Sequence, residues 1–123
     1  NAQACLGVYT ADIEQFHEPH IKPQDNGNHG DVRWFTVTNT EGVGLRFGFV
    51  DKPLSFSAHN YTQRLLQSAA HREDVYNQHT TFLSIDGFVR GTGTASCGPD
   101  TLPRYTFDAK DGLSFTFFIQ PVL

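Results

Sequence analysis

The amino-acid sequence predicts an all-β fold, an antiparallel β sandwich with one short helix near residues 61–71. The 11 glycines and 6 prolines divide the 123 residues into short segments, which is typical of strands joined by turns. Several of these segments alternate apolar and polar residues with the two-residue period of a strand. The 11 phenylalanines supply bulky side chains for a core. The length suffices for one domain with a single core.

The first two strands are predicted to form a hairpin. Residues 33–38 are rich in aromatic and β-branched side chains, which favour strands. Residues 43–50 alternate, and their apolar side chains share one face of the strand: Val43, Leu45, Phe47 and Phe49. The polar segment 39–42 ends in glycine and predicts the turn between the two strands.

The helix near residues 61–71 is predicted from an apolar stripe with a four-residue spacing, at Tyr61, Leu65 and Ala69. Its N-cap is either Asn60, in a capping box with Gln63, or Thr62. His71 is then expected at the end of the helix, where it favours the negative end of the helix dipole. A polar contact from His71 to the sheet is the alternative.

Three further strands are predicted after the helix. Residues 81–89 form one candidate, interrupted by an Asp-Gly pair, and residues 104–107 form a short one. Residues 113–119 show the clearest two-residue period in the chain. Pro121 is expected to end this last strand.

Composition and charge argue against several classes of partner. The chain has 9 Lys and Arg against 13 Asp and Glu, a net charge of −4, which disfavours binding to nucleic-acid phosphates. No apolar run approaches the roughly 20 residues of a membrane span. The chain has no methionine, and its first two residues, Asn-Ala, resemble the remnant of a cleaved expression tag. Residues 3–123 are then a single domain excised from a larger protein.

The two cysteines, Cys5 and Cys97, are too few for a disulfide scaffold. They are either free thiols in a reducing compartment or one disulfide in a secreted domain. The first alternative corresponds to a cytoplasmic protein, which is the location that we expect.

Side chains that could carry chemistry are present but form no decisive pattern. None of the 13 acidic residues is singled out by spacing as one of the two carboxylates of a glycosidase. His17 and His20, with His29 nearby, have spacing compatible with zinc. Because Pro19 interrupts this segment, surface histidines are the simpler interpretation, and we expect no metal. The glycine-rich segment 91–99 is either a structural turn or a loop that lets backbone approach a ligand.

Several segments in order resemble the C-terminal part of the β-galactosidases of glycoside hydrolase family 2. The similarity covers roughly residues 9–123. It rests on His-Ile-Lys-Pro-Gln-Asp-Asn-Gly-Asn (20–28), Asp-Val-Arg-Trp (31–34), Leu-Ser-Phe-Ser (54–57), Tyr-Thr (61–62), Ala-His-Arg (70–72), Ser-Ile-Asp-Gly-Phe (84–88) and the glycine-rich loop (91–99).

This resemblance implies a fold and a function. The last domain of the family is a large β supersandwich similar to galactose mutarotase, and this chain would be its C-terminal portion. The catalytic glutamates and the magnesium and sodium sites of the family belong mainly to a central barrel, which is too long to fit here. The chain would therefore be an accessory domain that contacts the barrel of a retaining enzyme acting on β-galactosides such as lactose. By itself it would be inactive, with no catalytic residue and no cofactor.

The resemblance transfers one substrate-binding site, at Ser96 and Cys97. Well-known bacterial members have a tryptophan at the position of Cys97 that stacks on the sugar. The loop is one residue shorter here and resembles a second branch with Ser-Cys-Gly-Pro. A thiol provides no aromatic platform, so the implied role is a position at the rim of the sugar cleft.

Two other functions remain open from the residues. The aromatic content fits an independent carbohydrate-binding module, because exposed rings can stack on sugars. However, Trp34 and most phenylalanines occupy alternating strand positions, and we expect them to be buried. A mutarotase-like enzyme would need a histidine and a carboxylate around a sugar. We also expect the chain to self-associate, or to cover its exposed sheet with residues 3–20.

Overall fold

The computed structural model describes residues 5–91 and 97–123. It contains six strands, β1 (His29–Val32), β2 (Trp34–Thr38), β3 (Gly44–Phe49), β4 (Leu54–His59), β5 (Phe82–Asp86) and β6 (Phe117–Val122), and one α-helix, α1 (Gln63–Ser68). Short 3₁₀ turns lie at Ile13–Phe16, Arg72–Asp74, Pro103–Tyr105 and Ala109–Asp111. Within these ranges the strands form two antiparallel sheets and the only α-helix is short, so the predicted all-β class is confirmed and is consistent with a sandwich. No helix in the described ranges is long and apolar enough to span a membrane.

The chain folds into two compact units. The first contains the residues up to Val32 together with Ser55–Ile85, and the second contains Arg33–Leu54 together with the residues from Asp86 onward. The first unit carries α1 and most of a sheet of order β1-β4-β5. The second carries a sheet of order β2-β3-β6.

The predicted hairpin is confirmed as β2 and β3. The strands pair antiparallel from Trp34 opposite Gly48 to Thr38 opposite Gly44. The side-chain oxygen of Asn39 accepts hydrogen bonds from the backbone N–H groups of Glu41 and Val43, at 2.9 and 3.0 Å. Gly42 has a φ of 84°, which glycine adopts without steric cost. The hydrogen bonds of Asn39 and the backbone conformation of Gly42 therefore define this turn locally.

The predictions for the C-terminal strands are wrong in part, and the last strand, β6, runs over Phe117–Val122 rather than over 113–119. Residues 104–107 form no strand; Pro103–Tyr105 is a 3₁₀ turn that begins with proline, as helical first turns commonly do. Pro121 does not end the last strand but lies within β6, opposite Leu45. Because β6 is at the edge of its sheet, the missing N–H of a proline can be tolerated there.

The helix is shorter than predicted and starts at the second of the two candidate caps. Thr62 is the N-cap, and its side-chain oxygen accepts a hydrogen bond from the backbone N–H of Leu65 at 3.1 Å. Leu66 on the inner side of α1 is buried. The cap and this buried contact fix the start of the helix.

The chain leaves the helical path before His71, so the prediction that His71 ends the helix is wrong. The carboxylate of Asp74 accepts the backbone N–H groups of Ala70 and His71, at 2.9 and 2.8 Å. These bonds stabilise the 3₁₀ turn that follows. The His71 side chain is 78% exposed, and its Nδ1 lies 3.8 Å from the Asp74 carboxylate.

Replacement of Thr62 by alanine is expected to lower the free energy of unfolding by about 1 kcal/mol, because the N–H of Leu65 loses its acceptor. Urea denaturation of the purified chain measures the change. Ser68→Ala is the matched control, since the Ser68 hydroxyl donates to the exposed carbonyl of Leu65, which also accepts the backbone N–H of Ala69. Equal losses in the two variants would contradict the capping role.

The core of each unit is small. In the first unit Phe56, Ala58, Tyr61, Leu66 and Ala69 are buried. In the second unit Phe35, Phe47 and Leu54 are buried, and the rings of Phe35 and Phe47 stack with centroids 4.6 Å apart.

The expectation that Trp34 and most phenylalanines are buried is wrong. Trp34 is 42% exposed, and only three of the eleven phenylalanines, all of which lie in the described ranges, are buried. Trp34 precedes Phe35 in β2, and neighbouring residues of a strand point to opposite faces. Because Phe35 is on the packed face, Trp34 is on the exposed one.

Part of the N-terminal segment packs within the first unit. The ring of Phe16 makes edge contacts with His29 and Phe56, at centroid distances of 4.7 and 6.4 Å. Leu6 and Tyr9 remain exposed. Self-association through exposed apolar surface stays a prediction.

Candidate functional site

The loop predicted to contact substrate is described at its two ends. Cys97 is exposed, and so is Cys5; both are free thiols. Ser96 lies outside the described residues. The exposed position of Cys97 leaves its thiol accessible to a ligand.

Two contacts join the chain before the loop to the chain after it. One guanidinium nitrogen of Arg90, Nη2, donates to both carboxylate oxygens of Asp100, at 3.0 and 2.9 Å. The hydroxyl of Thr101 donates to the backbone carbonyl of Gly91. An ion pair and a hydrogen bond therefore hold the two ends of the loop together, and we call these contacts the clasp.

The clasp stays ionised at neutral pH. The pKa of Asp100 is lowered, first by the hydrogen bond from the Thr101 backbone N–H and then by the Arg90 side chain. The side chains of Arg90 and Asp100 are 46% and 62% exposed. Because solvent screens such a pair, its contribution to stability is small, and its polar atoms remain open to a ligand.

A shallow groove of about 490 Å³ runs beside the clasp. Its lining combines one cation, two carboxylates, two hydroxyls and an aromatic ring, from Arg90, Asp100, Thr101, Pro103, Thr106, Phe107 and Asp108. A second depression, of about 800 Å³, shares Asp100, Thr101 and Thr106 with the first. The groove therefore presents both hydrogen-bond donors and acceptors.

Asp100, one of the two carboxylates that line the groove, does not have the environment of a glycosidase general acid. A glycosidase centre needs one carboxyl group that keeps its proton near neutral pH as the general acid. Asp100 has a lowered pKa and is paired with Arg90. Asp108 faces the Lys110 ammonium at 3.2 Å. Asp100 therefore cannot serve as the general acid.

Arg90 and Asp100 were not singled out from the sequence. Their opposite charges flank the glycine-rich loop on either side, at positions ten residues apart. That spacing could have indicated a clasped loop.

Two of the three histidines considered as metal ligands, His17 and His29, make contacts within the first unit. Nδ1 of His17 lies 2.8 Å from the hydroxyl of Tyr61, and Nδ1 of His29 donates to the carbonyl of Gly27 at 2.8 Å. The described part of the chain contains no group of three or more His, Cys, Asp or Glu residues that could hold a metal ion.

A fourth histidine, His59, has the most unusual environment. It is 4% exposed and stacks on Tyr61 with centroids 4.7 Å apart. Its Nε2 donates to the carbonyl of Asn26 at 3.0 Å, while its buried Nδ1 has no hydrogen-bond partner among the described residues. Burial lowers the pKa of His59 and raises that of Tyr61. His59 is therefore neutral in the folded protein near neutral pH.

The sequence is similar to β-galactosidases. The profile of the family described as beta galactosidase small chain matches residues 1–119. A β-galactosidase small subunit of Latilactobacillus sakei is 34% identical over 113 residues, which are 83% of this chain and 36% of that protein.

Two longer relatives show the same similarity over a smaller share of their length. A β-galactosidase of Streptococcus thermophilus is 27% identical over 120 residues, 97% of this chain and 12% of that protein. A β-galactosidase of Kluyveromyces lactis is 33% identical over 108 residues, 86% of this chain and 10% of that protein. The chain spans little more than a third of the small subunit and about a tenth of the longer enzymes. The match over residues 1–119 shows that this chain belongs to the β-galactosidase small-chain family.

Proposed function

We propose that this chain is the C-terminal portion of the last domain of a β-galactosidase of glycoside hydrolase family 2, acting as an accessory domain. The parent enzyme hydrolyses terminal β-galactosides such as lactose with retention of configuration. The single observation that carries this proposal is the family match over residues 1–119.

In this proposal the reacting groups belong to the rest of the parent enzyme. The catalytic carboxylates and the magnesium and sodium sites lie in its barrel, which the accessory domain contacts. The environment of Asp100 supports this division, because a carboxyl group with a lowered pKa beside Arg90 cannot serve as the general acid.

The accessory domain contributes the rim of the sugar cleft. The loop carrying Ser96 and Cys97 lies at that rim, and the groove beside Arg90 and Asp100 offers hydrogen bonds to sugar hydroxyls. The support for this assignment is the exposed thiol of Cys97 and the polar lining of the groove.

A complementation experiment tests the proposal. The purified 123-residue chain is expected to leave a chromogenic β-galactoside intact. A parent enzyme lacking these residues is expected to be inactive and to regain hydrolysis when the chain is added back. Hydrolysis by the chain alone would contradict the proposal, and so would full activity of the truncated parent.

Cys97→Ala in the parent enzyme is expected to lower kcat/KM for lactose by less than about tenfold, because a thiol offers less than the ~1–3 kcal/mol of a full substrate contact. The thermal midpoint should change little. Cys5→Ala is the matched control, since Cys5 is also an exposed free thiol, and it should leave kcat/KM unchanged. Equal kcat/KM values for Cys97→Ala and Cys5→Ala would contradict the assignment of Cys97 to the substrate site.

A further inference from the structure

A segment of mostly irregular chain before β1 is tied to the first unit at one polar cluster. We call this segment, residues 12–28, the strap. Every residue of the strap is described, and none of them is buried. The strap therefore has no core of its own, and its position depends on a few contacts with the rest of the first unit.

Asn26 is the centre of the polar cluster. Its backbone carbonyl accepts the Nε2–H of His59 at 3.0 Å, and its side-chain amide donates to the hydroxyl of Tyr61 at 3.3 Å. The same hydroxyl lies 2.8 Å from Nδ1 of His17. His59 and Tyr61 are 4% and 7% exposed. The two ends of the strap therefore meet at two rings that are almost completely buried.

Further contacts along the strap are separate from this cluster. The ring of Phe16 packs edge-on against Phe56 at a centroid distance of 6.4 Å. The ammonium group of Lys22 donates to the backbone carbonyl of Ala69. Loss of the bonds at Asn26 would therefore separate the strap from the buried rings and leave only scattered contacts.

Neutral His59 fits the cluster, whereas protonated His59 does not. Its Nε2 already uses its hydrogen on the Asn26 carbonyl, and its Nδ1 is buried without a hydrogen-bond partner among the described residues. A second proton, on Nδ1, would be buried without an acceptor there, which is unfavourable. Opening of the cluster would give this N–H access to water.

The groups that face His59 come from the strap, from β1 and from the residues after β4. His17 and His29 oppose a positive charge on the His59 ring, and Asp25 favours it. The Tyr61 ring, which stacks on His59 with centroids 4.7 Å apart, also favours a cation. Burial is the largest influence, and the pKa of His59 is lowered.

We propose that the strap is a pH-sensitive latch, which protonation of His59 at mildly acidic pH releases from the first unit while the strands and α1 stay folded. The pairing of β4 with β1 and β5 does not involve the strap, so the sheet can outlast its release. Opening takes up a proton below about pH 6.5, the ordinary pKa of histidine. Each pH unit below this value therefore favours the open strap by at most about tenfold, until the closed form also binds the proton.

NMR of the ¹⁵N-labelled 123-residue chain between pH 7.5 and 5.5 tests the latch. Chemical exchange saturation transfer detects a minor open form. Its population is expected to rise as the pH falls, with exchange confined to residues 12–28 and 59–61. A population that does not change with pH would overturn the proposal. Exchange of equal size in β2 and β3 would do so too, because it would indicate unfolding of the whole chain.

A matched pair of variants assigns the proton to one histidine. His59→Gln has no titratable group and can still donate an amide N–H to the Asn26 carbonyl, so its open population should not change with pH. His71→Gln removes a histidine of the same unit whose side chain is 78% exposed, and it should keep the pH dependence of the unaltered chain. Equal pH dependence in the two variants would overturn the role of His59.

Two measurements keep His59 itself in place. The imidazole signals of His59 in the unaltered chain should report protonation at the same pH as the release of the strap. Tyr61→Phe removes the hydroxyl that bonds the strap and should raise the open population several-fold at every pH without removing its pH dependence. Protonation of His59 under a closed strap, or loss of the pH dependence in Tyr61→Phe, would overturn the proposal. Neither measurement depends on hydrolysis by the parent enzyme, so this proposal and the proposed function fail separately.

Discussion

Replacement of Gly27 by alanine is expected to lower the free energy of unfolding by about 3 kcal/mol or more. Gly27 has a φ of 67°, where an L-residue costs roughly 1–2 kcal/mol. Its added Cβ would also lie 2.4 Å from the backbone carbonyl oxygen of Phe16 and 2.8 Å from the His59 ring. A backbone carbonyl cannot move aside by changing rotamer, so the N-terminal segment itself must shift.

Gly42→Ala is the matched control for this prediction. Gly42 also has a positive φ, 84°, but in the described ranges no atom beyond its two chain neighbours lies within 4 Å of the position that an added Cβ would take. The loss there should be limited to the backbone strain of roughly 1–2 kcal/mol. Urea denaturation of both variants measures the difference, and equal losses would mean that the space around Gly27 is not restrictive.

The stability of the protein is expected to fall as the pH is lowered below about 6.5, the ordinary pKa of histidine. Burial is the main cause of the lowered pKa of His59; the Asn26 carbonyl and Asp25 oppose it, while His17 and His29 add to it. The unfolded chain therefore binds a proton at this position before the folded chain does. The free energy of unfolding then decreases with falling pH, by at most about 1.4 kcal/mol per pH unit for this one group.

The measurement is urea denaturation at a series of pH values, in the native protein and in His59→Gln. Glutamine has no titratable group and can place an amide N–H near the Asn26 carbonyl. The variant should lose part of the pH dependence below about 6.5. His79→Asn is the control, because His79 is exposed and its φ of 55° is one that asparagine tolerates. An unchanged slope in His59→Gln would contradict the role of His59.

Features that depend on contacts between near neighbours were predictable from the sequence. The turn between β2 and β3 is held by bonds from Asn39 to residues two and four positions ahead. The cap of α1 joins Thr62 to Leu65. Both signals lie within five residues of sequence, so the hairpin and the start of the helix could be located.

The candidate site was predictable only in part. The resemblance pointed to the loop with Cys97, which is exposed. The clasp between Arg90 and Asp100 bridges ten residues, and pairing at that distance depends on the path of the whole loop. Sequence spacing alone could not distinguish this pair from two separate surface charges.

Residue order established that Trp34 and Phe35 point to opposite faces of β2, but not which face is packed. The packed face is decided by the residues that cover the sheet. These contacts place Phe35 in the core with Phe47 and leave Trp34 exposed. The position of β6 at the sheet edge likewise decided that Pro121 could remain within a strand. Strand periodicity is a property of local backbone geometry, whereas burial is a property of contacts between residues far apart in the chain, which only the folded protein brings together.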